Sequence, residues 1–292
     1  MTLTQFNTTN NYTTDALFQT DVAIIHNAIL SVGLVQTSDT GQINPATVLR
    51  SATTNTPSGY IIYAFADALQ ATYPVYIKIE YGAGSSTSEI GFWVTVGFAT
   101  NGAGTITGYS QTNRFVFPSS TTNVTTPGGI SGSTSRLTAA LMLYNGSPAY
   151  VSLWFSIERL QSTAGADTSQ GIVLAYAQHG SSSSPISGSQ VVYYSGYQPP
   201  ATSALGSLMP NQPVGTTWVI GANTGTGPIL PLGFGAHPCI QGGLLYFQGD
   251  ISAQSIPSIS VYGTAHNYLA LGAAPSSLTN FNATAGILAR WD

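Results

Sequence analysis

Ten acids and four histidines supply most of the acid–base chemistry in this 292-residue chain. Hydrolysis on a β scaffold uses two carboxylates held at a set distance, one acting as acid and the other as base or nucleophile. Before the terminal Asp292, the second half of the chain offers only Glu158, Asp167 and Asp250. Glu158 abuts Arg159 in Trp154-Phe-Ser-Ile-Glu-Arg159, which reads as a structural ion pair at a strand end rather than a poised acid. Lys78 and Glu80 stand two apart on a β-patterned run, share one face and read as a solvent-facing pair. His26, His179, His237 and His266 lack the i,i+3 or i,i+4 spacing of a helical metal site and the His-x-His of a strand pair, so no metal or other cofactor is expected.

Nucleophiles are no better placed. Cys239 follows His237 in His-Pro-Cys-Ile, a thiol with a base nearby, but a lone cysteine is most often a small buried hydrophobe. A single cysteine also forbids an intrachain disulfide. Gly129-Ile-Ser-Gly132 and Ile186-Ser-Gly-Ser189 both miss the Gly-x-Ser-x-Gly elbow. Gly102-Ala-Gly104 is followed by a strand pattern, whereas a dinucleotide phosphate needs a helix N-terminus there. The sequons at Asn7, Asn11, Asn123, Asn145 and Asn282 are what chance gives in so Asn- and Thr-rich a chain. What is left is aromatic: Tyr193, Tyr194, Tyr197, Trp154 and Trp218 include neutral faces that suit sugars or proteins. The reading is a chain without catalysis.

Charge narrows the partners. Only 5% of residues are Asp, Glu, Lys or Arg, against roughly 25% in an ordinary soluble domain. None occurs from Thr168 to Gly249 or from Ile251 to Ala289. A net charge of −4 with a single lysine gives no clustered cations to displace counterions from nucleic acid, so nucleic acid is not an expected partner. A surface so poor in ions does little to resist association, and it makes most sense where much of it is covered by copies or neighbours. No apolar run approaches the roughly 20 residues of a membrane span, and Met1 to Thr14 has no signal-peptide character. A soluble chain made in a cytoplasm is expected.

These side chains must be held by a mainly β fold, antiparallel and sandwich or barrel-like, behind an N-terminal amphipathic helix. The helix runs from a Thr14 N-cap, with Asp15 in the first turn, to a Gly33 stop. Its apolar stripe is Phe18, Val22, Ile25, Ile29 and Val32, with Asp21 and Asn27 off the stripe. That seam packs either on the chain's own sheet or on neighbouring subunits; Phe18, Val22, Ile25 and Ile29 are the candidate oligomer or partner interface. Val75 to Tyr81 and Ile90 to Thr100 form a hairpin, with Phe92, Val94, Val96 and Phe98 on one face. Tyr60 to Gln70 fits a strand running into a short helix as well as other readings. Later strands are expected at Leu137 to Tyr144, Tyr150 to Leu160, Gly171 to Gln178, Gln190 to Tyr194, Thr217 to Ile220, Leu244 to Gln248, Ser258 to Gly263 and Tyr268 to Leu271. The organisation is a helical segment at 1–45, a first β region at 46–118, a polar linker or long loop at 119–135 and a second β region at 136–292.

Several stretches carry a resemblance. They are Asp15-Ala-Leu-Phe-Gln-Thr-Asp21 leading to Gly33-Leu-Val-Gln-Thr-Ser-Asp-Thr-Gly-Gln-Ile-Asn-Pro45, the strand Val75-Tyr-Ile-Lys-Ile-Glu-Tyr-Gly82, Trp154-Phe-Ser-Ile-Glu-Arg159 with Asp167-Thr-Ser-Gln-Gly-Ile-Val173, and Val261-Tyr-Gly-Thr-Ala-His-Asn-Tyr268. Together they resemble structural proteins of bacteriophage virions encoded among tail and collar genes. The resemblance implies an assembly context with symmetric copies and other virion proteins as partners, in the tail, collar or baseplate, and it transfers no catalytic or ligand residue. The alternatives are a receptor- or glycan-binding fibre module that takes a host-surface glycan through its Tyr-rich loops, and a capsid decoration protein.

Overall fold

The computed structural model describes residues 2–9, 12–84, 86–107, 111–117, 126–133, 136–144, 150–161, 170–179, 190–195, 203–204, 209–210, 226–233, 244–249, 256–261, 264–271 and 285–290. The chain is mainly antiparallel β, with one α-helix among the described residues, near its start. The first half holds β1 (Thr2–Thr8), α1 (Asp15–Ser31), β2 (Val35–Gln36), β3 (Pro57–Ala64), β4 (Tyr76–Ala83), β5 (Ile90–Gly97), β6 (Ala99–Thr100), β7 (Ile106–Thr107) and β8 (Gln111–Phe117). There follow β9 (Thr126–Ser133), β10 (Arg136–Tyr144), β11 (Tyr150–Gln161), β12 (Gln170–His179), β13 (Gln190–Ser195) and β14 (Ser203–Ala204). The last are β15 (Met209–Pro210), β16 (Thr226–Gly233), β17 (Leu244–Gly249), β18 (Ser258–Val261), β19 (Thr264–Leu271) and β20 (Ala285–Arg290).

Helix α1 begins where the sequence signals it. Thr14 is extended, with φ −130° and ψ 155°, and its Oγ1 accepts from Leu17 N at 3.3 Å, satisfying one of the donors a helix start leaves orphaned. At the other end Gly33 N donates to Leu30 O at 3.1 Å with φ 105°, a left-handed turn that costs glycine nothing. Phe18, Val22, Ile25 and Ile29 are 1%, 0%, 6% and 0% exposed. They lie in one core with Ile61 and Tyr63 of β3, Ile77, Ile79 and Tyr81 of β4, and Phe92, Val94 and Val96 of β5. The stripe expected as an oligomer or partner interface is thus covered by the chain's own sheet, and the packing within the subunit is what occurs. An aliphatic side chain taken fully out of water stabilises the fold by about 1.5–3 kcal/mol, so this stripe is a major part of what holds α1 in place.

The five-stranded sheet, ordered β2-β3-β4-β5-β8, follows its sequence pattern closely. In β4 the odd-numbered Ile77, Ile79 and Tyr81 are buried and the even-numbered Tyr76, Lys78 and Glu80 only partly so, the period-2 alternation of a strand with one core face. Tyr60 to Gln70 resolves into the end of β3 and a 3₁₀ turn at Ala68–Ala71. The seven-stranded sheet runs β1-β9-β10-β11-β12-β13-β14 and the six-stranded sheet β15-β16-β17-β20-β19-β18, every pair antiparallel. Among the described strands no sheet closes into a barrel.

Two expectations about organisation need correction. Thr126–Ser133, expected within a linker at 119–135, is strand β9, paired from Thr126 to Gly132 with β1 on one side and from Gly128 to Ser133 with β10 on the other. Its Gly128, Gly129 and Gly132 lowered its β signal, but position in a sheet is decided by pairing and not by propensity. The helical segment and the two β regions also share one interior. Ile130, Leu137, Ala139 and Ile157 of β9–β11 belong to the same core as α1 and β3–β5. Among the later expectations, Thr217 to Ile220 lies outside the described residues.

Candidate functional site

The loop Thr37-Ser-Asp-Thr-Gly41 and the β6–β7 hairpin meet around one carboxylate. Asp39 Oδ2 accepts from Thr37 Oγ1 at 2.7 Å; Asp39 Oδ1 accepts from Thr100 Oγ1 in a short bond and from Gly104 N at 3.5 Å. Burial pushes this carboxyl up, and the hydrogen bonds from Thr100, Thr37 and Gly104 outweigh it, so its pKa lies below the ordinary 3.8. The same meeting is fixed by backbone: Thr40 N donates to Gly102 O at 2.9 Å and Tyr60 Oη to Thr40 O at 2.6 Å. Gln42 adds a third tie, donating to the carbonyls of Thr37 and Asp39 and accepting from Ile62 N at 2.8 Å.

Tyr60 is the post around which these loops close. A Cβ on Gly104 would lie 2.1 Å from its hydroxyl oxygen, and one on Gly41 2.8 Å. Lys78 Nζ sits 4.6 Å from the centre of the Tyr60 ring and 3.0 Å from Glu80 Oε1. The Lys78 and Glu80 side chains are 17% and 20% exposed, so the pair expected to face solvent is half-buried. The cause is register: Glu80 stands between Tyr60 of β3 and Trp93 of β5, two bulky neighbours that cover it.

A second cluster joins the sheets. Arg159 of β11 pairs through Nη1 with Asp67, donates from Nε to Tyr73 O at 2.8 Å and from Nη2 to Gln70 Oε1 at 2.8 Å. Arg159 is thus paired with Asp67, and the side chain of Glu158, the partner expected from sequence, lies outside the described residues.

A third cluster lies at the start of α1. Asp21, expected off the apolar stripe, is fully buried. It accepts from Thr9 N at 3.2 Å with both oxygens and from Thr9 Oγ1 at 3.3 Å, and the Tyr12 hydroxyl also bonds to it. Burial, then the charge of Asp21, holds the Tyr12 phenol well above its ordinary range. The spacing contained the signal: Asp21 is three after Phe18 and four before Ile25, which puts it on the buried face. At the margin of the core, the partly buried His26 has its Nδ1 2.9 Å from Tyr63 Oη, and burial lowers the His26 pKa. The Tyr81 hydroxyl is raised by burial, has the Tyr63 phenol as its electrostatic neighbour and finds no hydrogen bond of regular geometry among the described residues.

Each carboxylate with a described side chain therefore has an ion-pair or hydrogen-bond partner within the chain. Asp15 pairs with Arg50 and accepts from its backbone, and Glu89 accepts from Ser86 N at 3.0 Å. In none of these clusters do two carboxylates face a common space, the arrangement that separates an acid from a base. Among the described residues no group of three or more His, Cys, Asp or Glu could hold a metal, and no helix is long and apolar enough to cross a membrane. Cys239, His237, Asp167, Asp250, Tyr197 and Trp218 lie outside the described residues, as do the side chains of Glu158, Trp154, Tyr193 and Tyr194.

Comparison with protein-family models, with curated proteins and with solved structures finds no match.

Proposed function

We propose that this chain is a non-enzymatic structural component of a bacteriophage virion, in the tail, collar or baseplate, built in as symmetric copies beside other virion proteins. The observation that supports it most is the use made of charge. In a chain with 5% charged residues, each charged side chain that is described has a partner within the chain, and Asp15, Asp21, Asp39 and Arg159 tie helix to loop, loop to hairpin or sheet to sheet. A chain so poor in ions has a polarity made mostly of hydroxyls and amides, which suits burial against copies better than life as a free monomer. The resemblance of the stretches from Asp15 to Pro45 and from Val261 to Tyr268 to phage tail and collar proteins gives the assembly its type.

Composition analysis of purified particles tests the proposal. The chain is expected at a fixed stoichiometry in the tail, collar or baseplate fraction. Its absence from particles, or a purified chain that turns over a host polysaccharide, overturns the reading.

A further inference from the structure

We infer that the outer edge of β1, with which no described strand pairs, is a docking edge for a second copy of this chain, the two β1 strands pairing antiparallel about a two-fold axis at Gln5. The inference rests on the proposal above that copies associate, and it names the surface they use.

Sheet edges display unpaired backbone groups, and proteins usually protect them by shortness, charge or proline. The edges of this chain differ in that protection. Strands β2, β14 and β15 have two residues each, β18 has four, and β8 carries Arg114. Strand β1, Thr-Leu-Thr-Gln-Phe-Asn-Thr, has seven residues with neither charge nor proline. It pairs with β9 without a register shift from Thr2↔Gly132 to Thr8↔Thr126, so the ladder has no bulge to twist its outer side away. Among the described residues no strand pairs with that outer side.

The strand is also held in place for the purpose. Thr4 Oγ1 lies 2.5 Å from Ser31 Oγ of α1, Phe6 packs against the core, and Thr9 just beyond is anchored on Asp21. Gln5 and Asn7 are exposed. A two-fold axis at Gln5 sets Gln5 beside Gln5 and Thr4 beside Phe6 of the second copy, a β-branched residue against an aromatic, with no like charges opposed. A second copy is favoured over an unrelated chain because an isologous contact needs only self-complementarity, and an uncharged strand supplies it. The product is one continuous sheet running through both copies.

The test uses charge exchange at the axis, on the full chain, by sedimentation velocity and native mass spectrometry. The parent is expected to associate, while Gln5→Lys and Gln5→Glu each weaken association several-fold by opposing like charges. An equimolar mixture of the two variants is expected to recover association and to be enriched in the mixed species beyond the statistical half. Asn27→Lys, on the exposed face of α1, adds the same charge elsewhere and should associate as the parent does. Circular dichroism confirms that all variants keep the fold. A parent that stays monomeric, or one that associates but gains no mixed-species preference from the charge pair, overturns the inference. Neither result bears on whether the chain is found in particles, so the virion reading stands or falls separately.

Discussion

The Arg159 guanidinium of β11 reaches across to the Asp67 carboxylate in the connection between β3 and β4, so the seven-stranded and five-stranded sheets are joined by a buried ion pair. The Arg159 and Asp67 side chains are 2% and 16% exposed. Gln70 organises the partner side: its Oε1 accepts from Val75 N as well as from Arg159, and its Nε2 donates to Val75 O. The guanidinium carbon also lies 5.1 Å from the centre of the Phe65 ring.

Removing one member of that pair leaves the other buried and uncompensated. Arg159→Leu is expected to destabilise the chain by about 3 kcal/mol or more, read from the urea midpoint, and Arg159→Leu with Asp67→Asn to recover part of the loss. A single variant within about 0.5 kcal/mol of the parent would show that the sheets do not depend on this contact.

Two glycines in the β6–β7 turn separate backbone strain from steric collision. Gly102 has φ 75° and open space where a Cβ would go; Gly104 has φ 89° and the Tyr60 phenol there at 2.1 Å. Gly102→Ala should cost about 1 kcal/mol, the left-handed penalty, and Gly104→Ala clearly more. Equal losses in thermal melts would mean that Tyr60 yields freely and is not the post described.

Two groups predict separate acid effects. The folded His26 pKa is below its ordinary 6.5, so as pH falls through that value the unfolded chain takes up the proton first and stability drops; His26→Gln should flatten the step. The Asp39 pKa is below 3.8 when folded, so its contribution is complete above that value and is lost as pH falls through the folded pKa. Asp39→Asn should remove that lower limb and leave the upper one. Denaturation midpoints from pH 8 to pH 2, with ~1 unit between points, resolve the two limbs.

Ile25→Asp should unfold the chain and not merely disperse it. Ile25 is 6% exposed in the chain's own core, and an unpaired buried charge costs several kcal/mol, roughly. Asn27→Asp, exposed on the same helix, should behave as the parent. A folded monomeric Ile25→Asp in circular dichroism would return the stripe to the role of an interface between copies.

Much of the first hundred residues could be read directly. Thr14, Gly33 and the stripe between them define α1, and the alternation through Ile77 and Ile79 defines β4, because local sequence dictates local geometry there. Strands β1 and β9 are not legible locally for a physical reason: one is polar and the other glycine-rich, and β1 is a strand because β9 pairs with it, β9 because β1 and β10 do. The Asp67–Arg159 and Asp39–Thr100 contacts join positions far apart in the chain, and no spacing rule carries them. Asp21 differs, since its helical position pointed inward and its charge type argued for the outside.

The β1–β9 pairing has a consequence for how the chain is made. Thr2 waits for Gly132 and Thr8 for Thr126, partners about 120 residues further along, which at ribosomal speeds emerge on the order of ten seconds later. The α1 stripe waits too, because Ile130, Leu137, Ala139 and Ile157 complete its enclosure. During that interval the nascent chain presents an incompletely covered apolar helix and an unpaired strand end to solvent, and closing the loop that joins them is a slow, non-local step. A translation stall or truncation near residue 118 should therefore yield a chaperone-bound, aggregation-prone fragment instead of a folded N-terminal domain.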